Sequence, residues 1–276
     1  AAELNTIRQL VKDAVEAGFY NIDIDASTVV EMDRASLEEE QDENSRITAE
    51  LTRFIRDIEP AGVTVSVGGE IGEIGKGNST VEDLDAFMKV YRNYLGEGVT
   101  GISKISVQTG TSHGGVVLPD GSLAEVKIDF DTLKKLGERA RDAYGLGGAV
   151  QHGASTLPDE AFGMFPDAGT LEVHLATGFQ NIIYDSQHFP ADLRHAINRH
   201  ILSSYQGERK EGDSDEQFIY KTRKKSFGDF KKELWDLPAD VNQAIMQELE
   251  NRFTLMFKAL NVTGTGSLIE QYISAP

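Results

Sequence analysis

The stretch Ile102–Gly115, ISKISVQTGTSHGG, decides the fold. Ile102–Gln108 reads as a strand, and the glycine-rich polar loop after it carries His113. Further on, Ala149–Gln151 repeats the arrangement, a short strand running into Gln151-His152-Gly153-Ala154-Ser155-Thr156. Between them Asp131–Tyr144 has helical periodicity and stops at Gly145. Strand, polar loop, helix and strand make a parallel βα unit, because parallel strands need a long crossover. The unit recurs outward in both directions. Phe19–Asp25 reads as a strand ending in Asp25-Ala26-Ser27, and Val63–Val67 as a strand followed by the glycine-rich Gly68–Gly77. Leu171–Leu175 is a further strand, ending in His174-Leu175-Ala176-Thr177-Gly178. Helical stripes cover Glu3–Ala17, Ser36–Glu59 and Val81–Leu95, and Pro158–Ala168 is a helix-bearing connection. Five strands of this kind fit an open doubly wound sheet or five staves of a (β/α)8 barrel.

From Pro190 onward the pattern is helical only. Helices are expected over Ala191–Tyr205, Phe227–Leu234 and Ala239–Leu260, with an acidic hinge near Gly212–Glu216. Two regions follow: residues 1–190, a βα domain with the site, and residues 191–276, a C-terminal helical extension. The chain opens on Ala1 and enters a helix in full stride, so it is expected to begin inside a larger fold.

Composition narrows the function. The 276 residues carry a formal charge of −18, which argues against nucleic acid and anionic membrane as partners. No apolar run is long enough for a transmembrane helix, and no signal peptide is visible, so a cytoplasmic protein is expected. There is no cysteine, which removes disulfides, a thiol nucleophile and thiolate-held zinc. Any metal must be held by His, Asp or Glu.

Three of the six histidines, His113, His152 and His174, fall at strand ends, and Asp25 and Glu70 follow the two strands before them. Singly each is ordinary: a histidine beside glycine is common in loops, and Asp25 suits an Asx turn or a helix cap. Together they matter, because a barrel brings its carboxyl-terminal strand ends to one rim. Imidazole and carboxylate are the ligands a divalent cation takes when thiolate is absent. The neighbouring glycines, Ser155 and Thr177 supply the N–H and hydroxyl donors a phosphate needs. His188, His195 and His200 lie on or near a late helix and read as surface or packing residues. Phe253, Met256, Phe257 and Leu260 read as core or subunit contact, and Arg223-Lys224-Lys225 as a solvated or salt-bridged face.

His113-Gly114 after one strand and His152-Gly153-Ala154-Ser155 after the next resemble the class II, zinc-dependent fructose- and tagatose-bisphosphate aldolases. Glu70-Ile71-Gly72 resembles their Glu-Leu-Gly, and Ile24-Asp25-Ala26-Ser27 the end of their fourth strand. The resemblance covers roughly residues 1–180. It implies a (β/α)8 TIM barrel of which this chain holds strands four to eight, the first three and one zinc-binding histidine lying outside it. Ser226-Phe227-Gly228-Asp229 and Ser267-Leu268-Ile269-Glu270-Gln271-Tyr272 resemble the accessory subunit of tagatose-bisphosphate aldolase.

Carried over, the resemblance makes His113, His152, Glu70 and Asp25 metal residues. Gly114, Gly153, Ser155 and Thr177 become phosphate-binding positions. The family's last strand has Asn and Asp where this chain has His174 and Ala176, so substrate recognition differs, and His174 becomes a candidate acid/base. The family's proton-transferring Glu has no clear match; Glu73 is the nearest candidate, with Glu82 behind it. The implied activity is that of a lyase of carbohydrate metabolism and glycolysis: reversible cleavage of a ketose bisphosphate to dihydroxyacetone phosphate and an aldehyde phosphate. Zn2+ or another divalent cation acts there as Lewis acid, in place of a Schiff-base lysine. A phosphorylated sugar is the expected substrate, and a homo-oligomer, or a complex with a related aldolase subunit, the expected assembly. Two other readings stay open: a non-catalytic accessory subunit, and a metal-dependent sugar or sugar-acid epimerase on the same scaffold.

Overall fold

The structure, a computed structural model, describes residues 2–72, 77–110, 118 and 128–273. Its five strands are Asn21–Asp23 (β1), Ser66–Glu70 (β2), Lys104–Val107 (β3), Ala149–Gln151 (β4) and Glu172–Val173 (β5). They lie side by side in chain order, and every neighbouring pair is parallel. That order settles the choice the strand count leaves open. A doubly wound sheet reverses its strand order at a switch point, whereas barrel staves follow the chain. The sheet is curled. Asn21 on one edge strand donates through Nδ2 to Glu172 on the other, at 3.3 Å. The result is a parallel half-barrel consistent with a TIM-like fold.

Ala2–Glu16 (α1) precedes β1, and Leu37–Glu40 (α2) and Asp42–Ile58 (α3) lie between β1 and β2. Val81–Leu95 (α4) joins β2 to β3, Phe130–Tyr144 (α5) joins β3 to β4, and the short Met164–Asp167 (α6) precedes β5. Thr177–Asp185 (α7) follows β5. Local chemistry sets the boundaries. Thr80 Oγ accepts from the Asp83 amide at 3.1 Å while the Asp83 carboxylate accepts from the Thr80 amide at 2.8 Å, a capping box that starts α4. Asp129 caps α5 through the Thr132 amide, and Gly145 ends it in the left-handed region at φ 71°.

Two expectations for the βα region need correction. The helix expected over Ser36–Glu59 is divided at Gln41, whose side chain donates to the Ile71 carbonyl at 3.1 Å. The strand expected at Val63–Val67 lies at Ser66–Glu70, so Gly68 and Gly69 are strand, not loop. Neighbours fill the space their side chains leave. A Cβ on Gly68 would stand 2.1 Å from Asp23 Oδ1 and 2.9 Å from the Lys104 stem, and one on Gly69 would meet Phe87, Ile102 and Ile105. Thus β2 shows opposite faces to two environments.

The helix-side face is apolar. Val65, Val67, Ile105, Val107 and Ala149 join Ile55 of α3, Leu84, Phe87 and Tyr91 of α4, and Leu133 and Leu136 of α5 in one buried cluster. Burying each large apolar side chain there stabilises the fold by roughly 1.5–3 kcal/mol. The C-terminal region contains Ala191–Ser204 (α8), Asp215–Thr222 (α9), Ser226–Asp229 (α10), Lys231–Trp235 (α11), Ala239–Ala259 (α12) and Gly266–Tyr272 (α13). A second cluster, with Tyr184, Phe189, Ile197, Ile201, Phe218 and Ile245, holds most of it together. The far end of α12 returns to the first cluster through Met256, and Phe253 stacks on Phe179 at 4.5 Å. Helix α9 occupies the expected hinge, because Ser214 and Gln217 form a capping box there. Arg223 is salt-bridged to Asp185 at 2.6 Å. Among the described residues, no helix is long and apolar enough to cross a membrane.

Candidate active site

The inner face of the sheet is polar, and the strand pleat puts it there. In β1, Asn21 and Asp23 alternate with Ile22; in β3, Lys104 and Ser106 alternate with Ile105 and Val107; β5 and the residues after it supply Glu172 and His174. His152 stands just past the carboxyl end of β4.

Asp23, His152 and His174 converge. Each offers one ligand atom, and the three atoms lie within 4.8 Å of one another. The two imidazoles stack with centroids 4.8 Å apart. His174 Nδ1 lies 3.2 Å from Asp23 Oδ2, and His174 Nε2 lies 2.9 Å from Glu172 Oε2. His152 Nε2 is 3.1 Å from Ser106 Oγ, and its Nδ1 is 3.4 Å from Glu70 Oε2. Beneath them the fully buried ammonium of Lys104 binds Glu172 Oε2 at 2.6 Å, Asp23 Oδ1 at 3.1 Å and the Asn21 side-chain oxygen. Two imidazoles and one carboxylate, each ring nitrogen facing a polar neighbour, fit a divalent cation.

The carboxylates are tuned apart. Burial pushes Glu70 up to about 8, and the charges of Asp25 and Asp23 push the same way, so it carries its proton at neutral pH. Its Oε2 is buried and has no hydrogen-bond partner among the described residues. Burial also acts upward on Glu172, but hydrogen bonds from His174 and Lys104, the ammonium charge and Asn21 outweigh it and hold the group at about 2. One carboxyl is a neutral proton store and the other a fixed anion.

The remaining candidates are distributed as follows. His113, Gly114 and Glu73 lie outside the described residues. Asp25 turns to its own backbone: its Oδ1 accepts from the Ser27 amide at 3.0 Å and hydroxyl at 2.7 Å, the Asx arrangement, and it is not one of the three converging ligands. Gly153 follows His152 at φ 70°, in the left-handed region, and leads into a helical turn containing Ser155. Ser155 Oγ accepts from the Ala176 amide at 3.2 Å, and Thr177 opens α7, so Ser155 and Thr177 flank one helix N-terminus. Glu82 is exposed in the first turn of α4. Asp23, Lys104 and Glu172 are functional residues that the strand-end pattern does not single out, because they lie inside the strands and not after them. The signal was present: polar residues alternate with isoleucine through Asn21-Ile22-Asp23-Ile24-Asp25.

A curled parallel sheet with imidazole and carboxylate donors at its carboxyl-terminal ends defines a TIM-like β/α protein. Residues 5–258 match the family described as fructose-bisphosphate aldolase class-II, and the chain belongs to that family. Among solved structures, it is similar to a putative fructose-1,6-biphosphate aldolase from Coccidioides immitis. That likeness has 17% identity and a TM-score of 0.50, covering 95% of this chain and 70% of the other. A probable tagatose 6 phosphate kinase from Sinorhizobium meliloti 1021 is also 17% identical, with a TM-score of 0.60, covering 100% of this chain and 73% of the other. The fructuronate-tagaturonate epimerase UxaE from Cohnella laeviribosi is 13% identical with a TM-score of 0.51, covering 91% and 64%. At these identities the likeness is one of fold. No curated protein sequence matches the chain.

Proposed function

We propose that this chain carries out metal-dependent aldol cleavage and formation on a phosphorylated ketose. The observation that carries the proposal is the convergence of Asp23, His152 and His174 at the rim, beside a carboxyl group that keeps its proton at neutral pH. A divalent cation, when bound, polarises a substrate carbonyl as a Lewis acid. Asp23, His152 and His174 would hold it. Glu70, with a value near the working pH, is suited to give and take the proton that aldol chemistry moves. The hydroxyl of Ser155 and the first N–H groups of α7 point to a phosphate seat, where helix ends favour anions despite the acidic chain. Anchoring the phosphate orients the reacting carbon, and such positioning contributes up to roughly 7–11 kcal/mol in favourable cases.

The test is a cleavage assay on the purified chain loaded with Zn2+, given fructose- and tagatose-1,6-bisphosphate in turn, with the aldehyde phosphate trapped. Cleavage that a chelator abolishes and added metal restores is the expected result. No cleavage of either sugar by the metal-loaded chain overturns the proposal. An epimerised sugar without carbon–carbon cleavage would assign the site to epimerisation instead.

A further inference from the structure

Lys104 has no place in the chemistry above, yet it is fully buried at the floor of the site. A buried ammonium costs several kcal/mol in desolvation unless it is closely paired. Here three acceptors surround it: Glu172, Asp23 and Asn21. An apolar side chain would fill the same space without that cost. The strand between them is fitted to the pair, since Gly68 of β2 lies beside both Asp23 and Lys104, and any Cβ there would collide with Asp23 Oδ1 and crowd the Lys104 stem.

We infer that Lys104 is a positioning residue that selects the donor atoms of the cation site, leaving Nδ1 of His174 and a single oxygen of Asp23 to face the ion. The inference rests on the metal-dependent reading. Two contacts carry it. Lys104 takes Oδ1 of Asp23, so only Oδ2 is presented to His174. Lys104 also binds the Glu172 oxygen that meets His174 Nε2. The Glu172 carboxylate only accepts, so Nε2 turns a hydrogen towards it, and Nδ1 is the ring nitrogen left on the side of the rim. Nδ1 faces Asp23 Oδ2 at 3.2 Å. A divalent cation beside that pair would meet one nitrogen of His174 and one oxygen of Asp23. Groups that hydrogen-bond a metal's ligands and orient them typically govern a 10–100-fold range of metal affinity.

The experiment measures Co2+ affinity of the full chain by visible absorption, together with 15N spectra of the His174 ring in the metal-free protein. Wild type should bind the metal and show a single Nε2–H tautomer. Lys104→Met should lower affinity about 10–100-fold and give mixed tautomers. Glu172→Gln should also weaken binding, and it carries the test if the methionine variant does not fold. In the double variant Lys104→Met/Glu172→Gln, stability should return in part, because one of the two carboxylates left without the ammonium is gone, but affinity should not. That separates positioning from a merely structural role. A folded Lys104→Met or Glu172→Gln protein with wild-type affinity, or a hydrogen on Nδ1 in the wild type, overturns the inference and leaves the metal-dependent reading standing. A wild-type chain that binds no divalent cation overturns both.

Discussion

Lys104 and Ile105 are adjacent in the chain and equally buried, yet they serve opposite faces of β3. Ile105 packs with Phe87 in the cluster that joins the sheet to α3, α4 and α5. Lys104 lies among Asp23, Glu172 and Asn21. Burial alone therefore does not tell what a residue is for. The helix-side face stabilises the fold through removal of apolar area from water. The inner face does the reverse, taking charges out of water and balancing them only by close pairing. A chain that keeps such an arrangement over an apolar filling keeps it for the geometry it imposes.

The contrast can be broken from either side. The largest effect should come from the inner face: His152→Ala should cut aldol turnover by at least about 10³-fold, with bound metal lost and far-UV circular dichroism unchanged. On the outer face, Phe87→Ala should cost about 3–5 kcal/mol in urea unfolding while kcat per folded molecule stays at the wild-type value. A kcat loss there would show that the faces are not separable.

Glu70 gives a pH test on the metal-free protein. Its folded value of about 8 stands above the ordinary 4.5, so between those values the folded chain keeps a proton that the unfolded chain has lost. Stability should therefore fall as pH rises from 4.5 towards 8, by on the order of 5 kcal/mol, and level off above 8. Glu70→Gln should flatten that slope; an equal slope in the variant would place its origin elsewhere. The smallest change is Gly68→Ala. One methyl group against the Asp23 carboxylate should cost about 1–3 kcal/mol in denaturant unfolding and weaken metal binding as well. Its added methyl group meets only the inner face, so it tests whether crowding there alone reaches both stability and metal binding.

Much of this was legible in the sequence. Strand β4 and helix α4 fall at the expected residues, and the alternation of strands with long crossovers pointed to parallel βα units. His152 and His174 were placed at one rim because each follows a strand, and they do meet. Strand β2 was misplaced by three residues, since two glycines in a row resemble a turn until the Asp23 carboxylate and Phe87 are seen to fill their space. Asp23, Lys104 and Glu172 were missed for a related reason. Their meaning depends on which side chains a curled sheet brings together across its interior, and Asn21 and Glu172 are 151 residues apart.

That separation has a consequence for how the molecule acquires its activity. Contacts between such distant positions form late, because the entropy of closing the intervening chain comes before any reward. The polar floor can be completed only after every strand has found its neighbour. A newly made chain with one stave out of place holds scattered imidazoles and carboxylates, so under the proposed function a cation would be taken up at the end of folding, not along the way.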